Sequence, residues 1–260
     1  MAITIYDNNK GTPGVATPHD ETFTLNASAK RLWVAAVIED NITVSATWDQ
    51  GGTNQAMTSV GTHVDDAGAT RIALLRLWNP TTGNKTLRVT YSAAPGSGEN
   101  IFWLTDDGDT TTGIRTLYKR NDLDGTGPGL TVVDSQNNDL VLHVAAVIGT
   151  TIVFDGGETA VQTNNILGSG FSGGLSYKAA TGASTVVGCT DKATYCEMGV
   201  ATIPASGGTP VTPTVNDSAT LAESVTIAVP LAGVNLNDAV TAAEVVTMHM
   251  PITLRMEKLS

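Results

Sequence analysis

The chain has 260 residues, of which 41% are hydrophobic and 15% are charged, and its formal net charge is −11. This hydrophobic content is enough for a packed core and excludes a disordered chain, which would combine few apolar residues with high charge density. The acidic charge disfavours nucleic-acid binding, because a negative surface repels the phosphate backbone. The N-terminus has no basic or apolar leader region and no run of 18 apolar residues occurs, so we expect no signal peptide and no membrane span.

Short β-strands separated by turns are predicted along the first 110 residues. Alternation of apolar and polar residues, as at 42–48, is typical of a half-buried strand, and the apolar runs at 31–38 and 71–78 are typical of buried strands. Asn79-Pro80 must end the strand at 71–78, since proline lacks a donor N–H and restricts the residue before it. A polar loop is predicted at 63–68. The predicted strands are 3–5, 22–25, 31–38, 42–48, 71–78, 86–91 and 101–104.

An internal repeat organises the chain. The sequence V-A-A-V-I occurs at 34–38 and again at 144–148, an offset of 110. Its flanks repeat at a similar offset, so that Ile5-Tyr6-Asp7-Asn8-Asn9 corresponds to Leu117-Tyr118-Lys119-Arg120-Asn121. We interpret this pattern as a duplication with one apolar strand at the centre of each copy.

The second copy is also predicted to consist of strands. A stretch rich in Asp and Thr at 106–113 separates the copies, and a glycine-rich loop is predicted at 167–174. No helical pattern is visible. The sequence therefore predicts an all-β fold with two related β-sandwich or jelly-roll halves, 1–110 and 111–205. The strands predicted in the second copy are 131–133, 139–148, 151–154, 176–179, 185–189 and 197–203.

The C-terminal segment 206–260 contains a second, shorter repeat. After a linker rich in Gly, Ser, Thr and Pro, the skeleton N-D-x-x-T-x-A-E-x-V-T occurs at 216–226 and at 237–247. Its Thr and Val content favours extended strands over short helices capped by aspartate. A unit of 21 residues does not bury a core alone, so this segment needs a partner: the sandwich, a neighbouring subunit or a stack of copies. The residues assigned to this assembly segment are Asn216, Asp217, Glu223, Val225, Asn237, Asp238, Glu244 and Val246.

The sequence contains no recognisable catalytic, cofactor-binding or metal-binding motif, so no catalytic residue, cofactor or metal is assigned. The four histidines lie far apart, and His143 is interpreted as a buried core imidazole. The acidic clusters at 106–109 and 121–125 do not match a calcium-binding loop and are interpreted as turns. Cys189 and Cys196 either form a disulfide across a hairpin or remain two thiols in neighbouring strands.

Four tryptophans offer a second functional interpretation. Trp33, Trp48, Trp78 and Trp103 all occur in the first copy, in or beside predicted strands. We interpret them as large rings that fill the core. An exposed platform for stacking sugars is the alternative, and burial of all four rings would contradict it.

The stretch from Trp48 to Tyr91 resembles β-sandwich domains of bacteriophage virion proteins. The resemblance is carried by the Gly51-Gly52 turn, by the R-I-A-L-L-R-L-W-N-P sequence at 71–80 and by G-N-K-T-L-R-V-T-Y at 83–91. The tail, with Asn216-Asp217-Ser218 and Glu223-Ser224-Val225-Thr226, is similar to repeat segments of virion and surface-fibre proteins. The resemblance implies a non-enzymatic role in assembly and transfers no catalytic residue.

The first hypothesis is therefore a virion structural protein of capsid-decoration, head-fibre or tail-associated type, made in a host cytoplasm. Its expected partners are further copies of itself and other virion proteins, such as a capsid or tail protein, reached through the segment 206–260. We expect this segment to be protease-sensitive when the protein is alone. A carbohydrate-binding or adhesive module for a host-surface glycan is the alternative from another class. A self-assembling extracellular filament subunit is a variant of the first hypothesis, and a depolymerase would need a carboxylate pair that nothing in the sequence selects.

Overall fold

A computed structural model of the chain describes residues 3–64, 70–96, 98–110, 113–122, 129–133, 135–148, 151–155, 157–165, 171–189, 195–205 and 214–217. These residues form β-strands and no helix, so the predicted all-β class is confirmed. Within these ranges, accordingly, no helix is long and apolar enough to span a membrane. Residues 1–220 form one compact unit and 221–260 a second, and every described residue belongs to the first.

The first half contains two antiparallel sheets that face each other. The A sheet has the strand order β1-β9-β3-β7-β6, and the B sheet has the order β2-β8-β4-β5. The strands are β1 (Ile5–Lys10), β2 (His19–Leu25), β3 (Arg31–Ile38), β4 (Val44–Trp48), β5 (Gln55–Ala56), β6 (Thr58–Val64), β7 (Arg71–Trp78), β8 (Gly83–Tyr91) and β9 (Glu99–Asp106).

The second half repeats this arrangement with a smaller outer sheet. The C sheet has the order β13-β14-β12-β16-β10-β17, and the D sheet pairs β11 with β15. The pairs are antiparallel except that of β10 with β17. The strands are β10 (Thr116–Asp122), β11 (Gly129–Val133), β12 (Leu140–Ile148), β13 (Thr159–Asn165), β14 (Phe171–Ala179), β15 (Ser184–Gly188), β16 (Tyr195–Ile203) and β17 (Thr214–Asp217).

The four sheets stack in the order B, A, C, D, with an apolar core between each adjacent pair. Val34 and Trp48 belong to the core between the B and A sheets. Val147 belongs to the core between the C and D sheets. The central core, between A and C, combines residues of both halves, such as Phe102 and Leu142. Burial of this apolar surface by both halves joins them into one body.

The A and C sheets share one strand order and pack with their ends reversed. The strands of the two sheets correspond in the order in which they occur along the chain: β1 to β10, β3 to β12, β6 to β13, β7 to β14 and β9 to β16. With this correspondence, the A sheet (β1-β9-β3-β7-β6) and the C sheet without the added β17 (β10-β16-β12-β14-β13) have the same strand order. The first edge of one sheet packs on the last edge of the other. At one end β1 packs on β13, where Lys10 Nζ donates to Thr163 O at 3.2 Å. At the other end β6 lies on β10, and a Cβ at Gly61 would collide with the Leu117 side chain. Strands β3 and β12 occupy the centre of this arrangement.

The two copies of V-A-A-V-I are out of phase in this fold. Val34 of β3 faces the B sheet of its own half, whereas Val144 of β12 faces the other half. Their partners differ in the same way, since Leu75 beside Val34 faces the B sheet and Leu175 beside Val144 faces the central core. A shift of one residue moves every side chain to the opposite face of a strand. Both faces are buried here, so the same apolar sequence fits either phase.

Strand boundaries follow the prediction most closely where apolar runs have sharp ends. Strands β3 and β7 begin and end at the predicted residues, and Asn79 after β7 adopts a positive φ of 50°. Strand β6 extends to Val64, into the predicted polar loop. The strand predicted at 151–154 is wrong, because Phe154 there makes only an isolated bridge with Cys189. Strands β5, β6, β10 and β13 were not predicted.

The predicted glycine-rich loop at 167–174 is wrong from Phe171 onward, because β14 begins there; residues 166–170 lie outside the described residues. Gly173 faces the A sheet, and a Cβ there would lie 3.0 Å from Val37 Cβ and 3.2 Å from Asn100 Nδ2. The lack of a side chain at Gly173 therefore allows the two sheets to approach closely, and this glycine does not form a turn.

Candidate functional site

The start of the predicted assembly segment lies on an edge of the C sheet. Strand β17 runs parallel to β10, and Asn216 pairs with Tyr118 and Asp217 with Lys119. An edge strand presents unpaired N–H and C=O groups that accept a further strand, and β17 pairs with those of β10. The other assigned assembly residues lie outside the described residues: Glu223, Val225, Asn237, Asp238, Glu244 and Val246.

The corresponding edge of the A sheet is formed by β1. Within the described ranges, β1 pairs only with β9 and is the last strand of its sheet. Ile5 of β1 and Leu117 of β10 both pack on the central core, so the two strands are in the same phase at these residues. A bulge between Ile5 and Asn8 interrupts the pairing of β1 with β9. We call the outer side of residues 5–10 the β1 edge.

A pocket of about 310 Å³ opens beside the β1 edge, where the A and B sheets meet. Residues 6–9 of β1 form its polar side, and Phe23 of β2 and Trp103 of β9 form its aromatic floor. The two floor rings stack, with centroids 4.1 Å apart and planes 6° apart. In the sequence, Asp7-Asn8-Asn9 stands out only as part of the repeated flank, and no local pattern predicts a pocket there.

The tryptophans mainly fill the cores. Trp33 and Trp48 are 0% exposed and Trp103 is 6% exposed, as the core interpretation predicts. Trp78 is half-buried, lies edge-on to Trp33 at 5.3 Å and carries the Arg76 guanidinium 4.6 Å above its ring. The ring faces are thus occupied by protein groups, which argues against a flat platform for stacking sugars.

A buried ionic cluster joins β2 to β9. His19 Nδ1 lies 2.6 Å from Glu99 Oε1, and His19 Nε2 lies 2.9 Å from Glu21 Oε1. The contact with Glu99, followed by that with Glu21, raises the pKa of His19 to about 9 against the opposing effect of burial. Burial raises the pKa of Glu99, and the proximity of His19 opposes this rise. The arrangement holds His19 as an imidazolium between two carboxylates.

A second histidine cluster lies in the core between the C and D sheets. His143 is buried, as predicted, and its Nδ1 lies 2.8 Å from Glu158 Oε2. Ser176 Oγ donates to the same oxygen at 2.5 Å, and the Gly188 amide donates to Oε1 at 2.8 Å. Because serine and imidazole both contact the carboxylate and not each other, the group lacks the nucleophile-to-base contact of a catalytic triad. Its geometry is that of a buried polar network.

The acidic cluster at 106–109 is engaged by protein groups. Asp106 Oδ1 accepts from Arg31 Nε at 2.5 Å and from the Gly108 amide at 2.7 Å, and its Oδ2 accepts from Trp33 Nε1 at 2.7 Å. The neighbouring Asp107 accepts from the Thr4 amide at 2.8 Å. These bonds fix the end of β9 and agree with the interpretation of this cluster as a turn. In the cluster at 121–125, residues 121 and 122 belong to β10 and the rest lie outside the described residues.

Cys189 directly follows β15 of the D sheet, whereas Cys196 belongs to β16 of the C sheet. Cys189 is buried beside the D sheet, where its backbone forms an isolated β-bridge with Phe154. Cys196 lies in β16 opposite Val147, and its side chain is outside the described set. The choice between a disulfide and two thiols stays a prediction.

Comparison of the chain with protein-family models, with curated proteins and with solved structures finds no match. Fold and edges define the class as an all-β, sandwich-like protein with a strand of its C-terminal segment paired on one sheet edge.

Proposed function

We propose that this protein is a non-enzymatic structural component of a virus particle, of the phage capsid-decoration, head-fibre or tail-associated type. In this proposal, segment 206–260 attaches the protein to further copies and to a capsid or tail protein. The body is two jelly-roll halves that arose by duplication. The particular virion role rests on the resemblance of residues 48–91 and of the tail to phage structural proteins.

The pairing of strands supports the jelly-roll assignment. In a jelly roll a long hairpin is wrapped so that early strands pair with late ones. The first half pairs β1 with β9, β2 with β8, β3 with β7 and β4 with β5, and the second pairs β10 with β16, β11 with β15 and β12 with β14. Viral capsid proteins and lectins both use this architecture, so it favours these two classes without deciding between them.

The shared strand order also supports the duplication. Ile5 and Leu117 match in sequence position and in the core they contact. The V-A-A-V-I repeat is weaker support than its identity implies, because its two copies face opposite sides. A duplication followed by a one-residue slip in one central strand accounts for both observations.

The observation that carries the assembly role is the parallel pairing of β17 with β10. Asn216 and Asp217 begin the repeated tail skeleton, and they lie on a sheet edge as an added strand. Strand addition of this kind is a general way to join chains, since backbone hydrogen bonds supply the affinity. The second copy of the skeleton then provides a further strand-forming element for a partner.

Detection of the protein in purified particles tests the virion role. Particles released by cells that carry the gene would be purified on a density gradient and probed with a gold-labelled antibody against the chain. We expect regularly spaced label on the particle surface. Label confined to soluble fractions would contradict the proposal, and label along long fibres without particles would favour the filament variant.

Glycan binding is the second candidate, favoured by one observation, the pocket beside β1. Its polar side, residues 6–9, offers hydrogen-bonding groups to a sugar, and the half-buried Phe23 offers apolar surface beside them. Screening on bacterial surface glycans, with Asn9→Ala as the loss variant and exposed Ser45→Ala as its control, tests this candidate. Binding that Asn9→Ala abolishes would support it, and no binding by the parent protein would remove it.

A further inference from the structure

We infer that the β1 edge accepts the second tail element, residues 235–238, from a neighbouring copy of this chain. The inference rests on the proposed assembly role and assigns both surfaces of the contact. It follows from two repeats that the chain carries in parallel: the pair of edges β1 and β10, and the pair of N-D elements in the tail.

The two edges are equivalent by position, and they are in the same phase at Ile5 and Leu117, before the bulge of β1. Strands β1 and β10 hold the same place in the A and C sheets, and Ile5 and Leu117 both contact the central core. The β10 edge carries β17, whereas the described residues place no strand on the β1 edge. An edge with unpaired backbone groups beside a pocket is a receptor for a strand.

The two tail elements are equivalent by sequence. Thr214-Val215-Asn216-Asp217 corresponds, 21 residues later, to Asn235-Leu236-Asn237-Asp238. Val215 pairs with Leu117 in the observed register. Carried to β1, that register puts Leu236 beside Ile5, where it extends the apolar row of the central core, and Asn237 beside Tyr6, next to the polar side of the pocket.

Charge is the point at which the two contacts differ. On the β10 edge Lys119 is opposite Asp217, but on the β1 edge Asp7 is opposite Asp238. Asp7 Oδ2 already accepts from the Asn26 amide at 2.8 Å and from Thr105 Oγ1 at 3.2 Å, which offsets part of the repulsion. Like charges opposite each other still weaken strand pairing, so the contact on β1 is the weaker and reversible one. The element already held on β10 belongs to its own chain, so the second element is the one available to a neighbour.

Cysteine cross-linking between full-length chains tests this contact. Asn8 is exposed on β1, and the carried register places it within one residue of Ala239, because the bulge of β1 lies between Ile5 and Asn8. A chain with Asn8→Cys would be mixed with a chain with Ala239→Cys and treated with a short bismaleimide, and wild type would measure the background of the native cysteines. Ala56→Cys on β5, an exposed position on a different edge, replaces Asn8→Cys as the matched control. Each variant must keep the wild-type circular dichroism spectrum.

We expect covalent dimers in several-fold excess over the Ala56→Cys control. Equal yields from both mixtures would overturn the inference, as would a chain carrying both Asn8→Cys and Ala239→Cys that cross-links only within itself. In a second measurement, Asp238→Lys should lower the concentration at which chains associate, because it replaces the repulsion with an attraction; no change or weaker association would contradict the register. If the wild-type chain is an oligomer by light scattering and the mixture of Asn8→Cys and Ala239→Cys chains does not cross-link above the control, the inference alone fails; a wild-type monomer at every concentration removes the proposed assembly as well.

Discussion

His19 Nδ1 and Glu99 Oε1 lie 2.6 Å apart at the junction of β2 and β9, both on buried side chains. Because the pKa of His19 rises from 6.5 unfolded to about 9 folded, protonation of His19 stabilises the fold. This contribution is fully present below pH 6.5 and is lost as the pH rises through about 9. The shift corresponds to at most roughly 3 kcal/mol, and partial solvation reduces it.

We therefore expect the free energy of unfolding to decrease between pH 6.5 and 9.5, and His19→Asn to remove most of that decrease. Urea unfolding at both pH values measures it. Asp20→Asn is the control, since Arg88 lowers the pKa of Asp20 and this carboxylate does not titrate in the window. A His19→Asn variant with an unchanged slope would show that His19 is not the titrating group.

Gly173 should tolerate no larger side chain. A Cβ there would lie 3.0 Å from Val37 Cβ, so Gly173→Ala requires the backbone near Val37 or Gly173 to shift by a few tenths of an ångström, and overpacking of this kind costs about 1–3 kcal/mol. Gly182→Ala is the matched control, because nothing lies within 4 Å of a Cβ at that position. Thermal unfolding should place Gly173→Ala clearly below the wild type and Gly182→Ala at or slightly above it. Equal midpoints for the two variants would contradict the close packing of β14 on the A sheet.

Substitution of the buried Asp106 should destabilise the fold more than substitution of the exposed Asp20. Asp106→Asn leaves the buried guanidinium of Arg31 without its counter-charge, and breaking such a pair costs about 3–5 kcal/mol. Asp20→Asn breaks the exposed pair with Arg88 and should cost at most about 1 kcal/mol. Urea midpoints of the two variants provide the comparison. A loss no larger for Asp106→Asn than for Asp20→Asn would mean that Arg31 finds another partner or water.

Local patterns predicted the strands that are bounded by strong signals, and they failed for relations between distant strands. The apolar run of β7 ends at Asn79-Pro80, so the end of this strand could be predicted from the sequence. In β10 the sequence Tyr118-Lys119-Arg120-Asn121 does not alternate between apolar and polar residues. It is a strand because it pairs with β16 and β17. The opposite phases of Val34 and Val144 depend on which sheet covers each face, and no local pattern in an apolar strand encodes that.

The candidate site was predictable to a similar extent. The need of the tail for a partner followed from its short repeat, and the pairing of Asn216 and Asp217 on a sheet edge agrees with the strand interpretation at those two residues. Which edge receives the strand could not be predicted, since Tyr118 is 98 residues away from Asn216. The same holds for His19 and Glu99, which meet only because β2, the first strand of the B sheet, packs against β9, an inner strand of the A sheet.

The solution mass of the full chain, compared with that of a chain ending at Thr220, tests the assembly role of the tail most directly. Thr220 is the last residue of the first compact unit, so the shorter chain keeps β17 and loses the second tail element. Light scattering over a range of concentrations should give an oligomer for the full chain and a folded monomer for the shorter one. Compact monomers in both cases, or the same oligomer in both, would contradict assembly through the C-terminal segment.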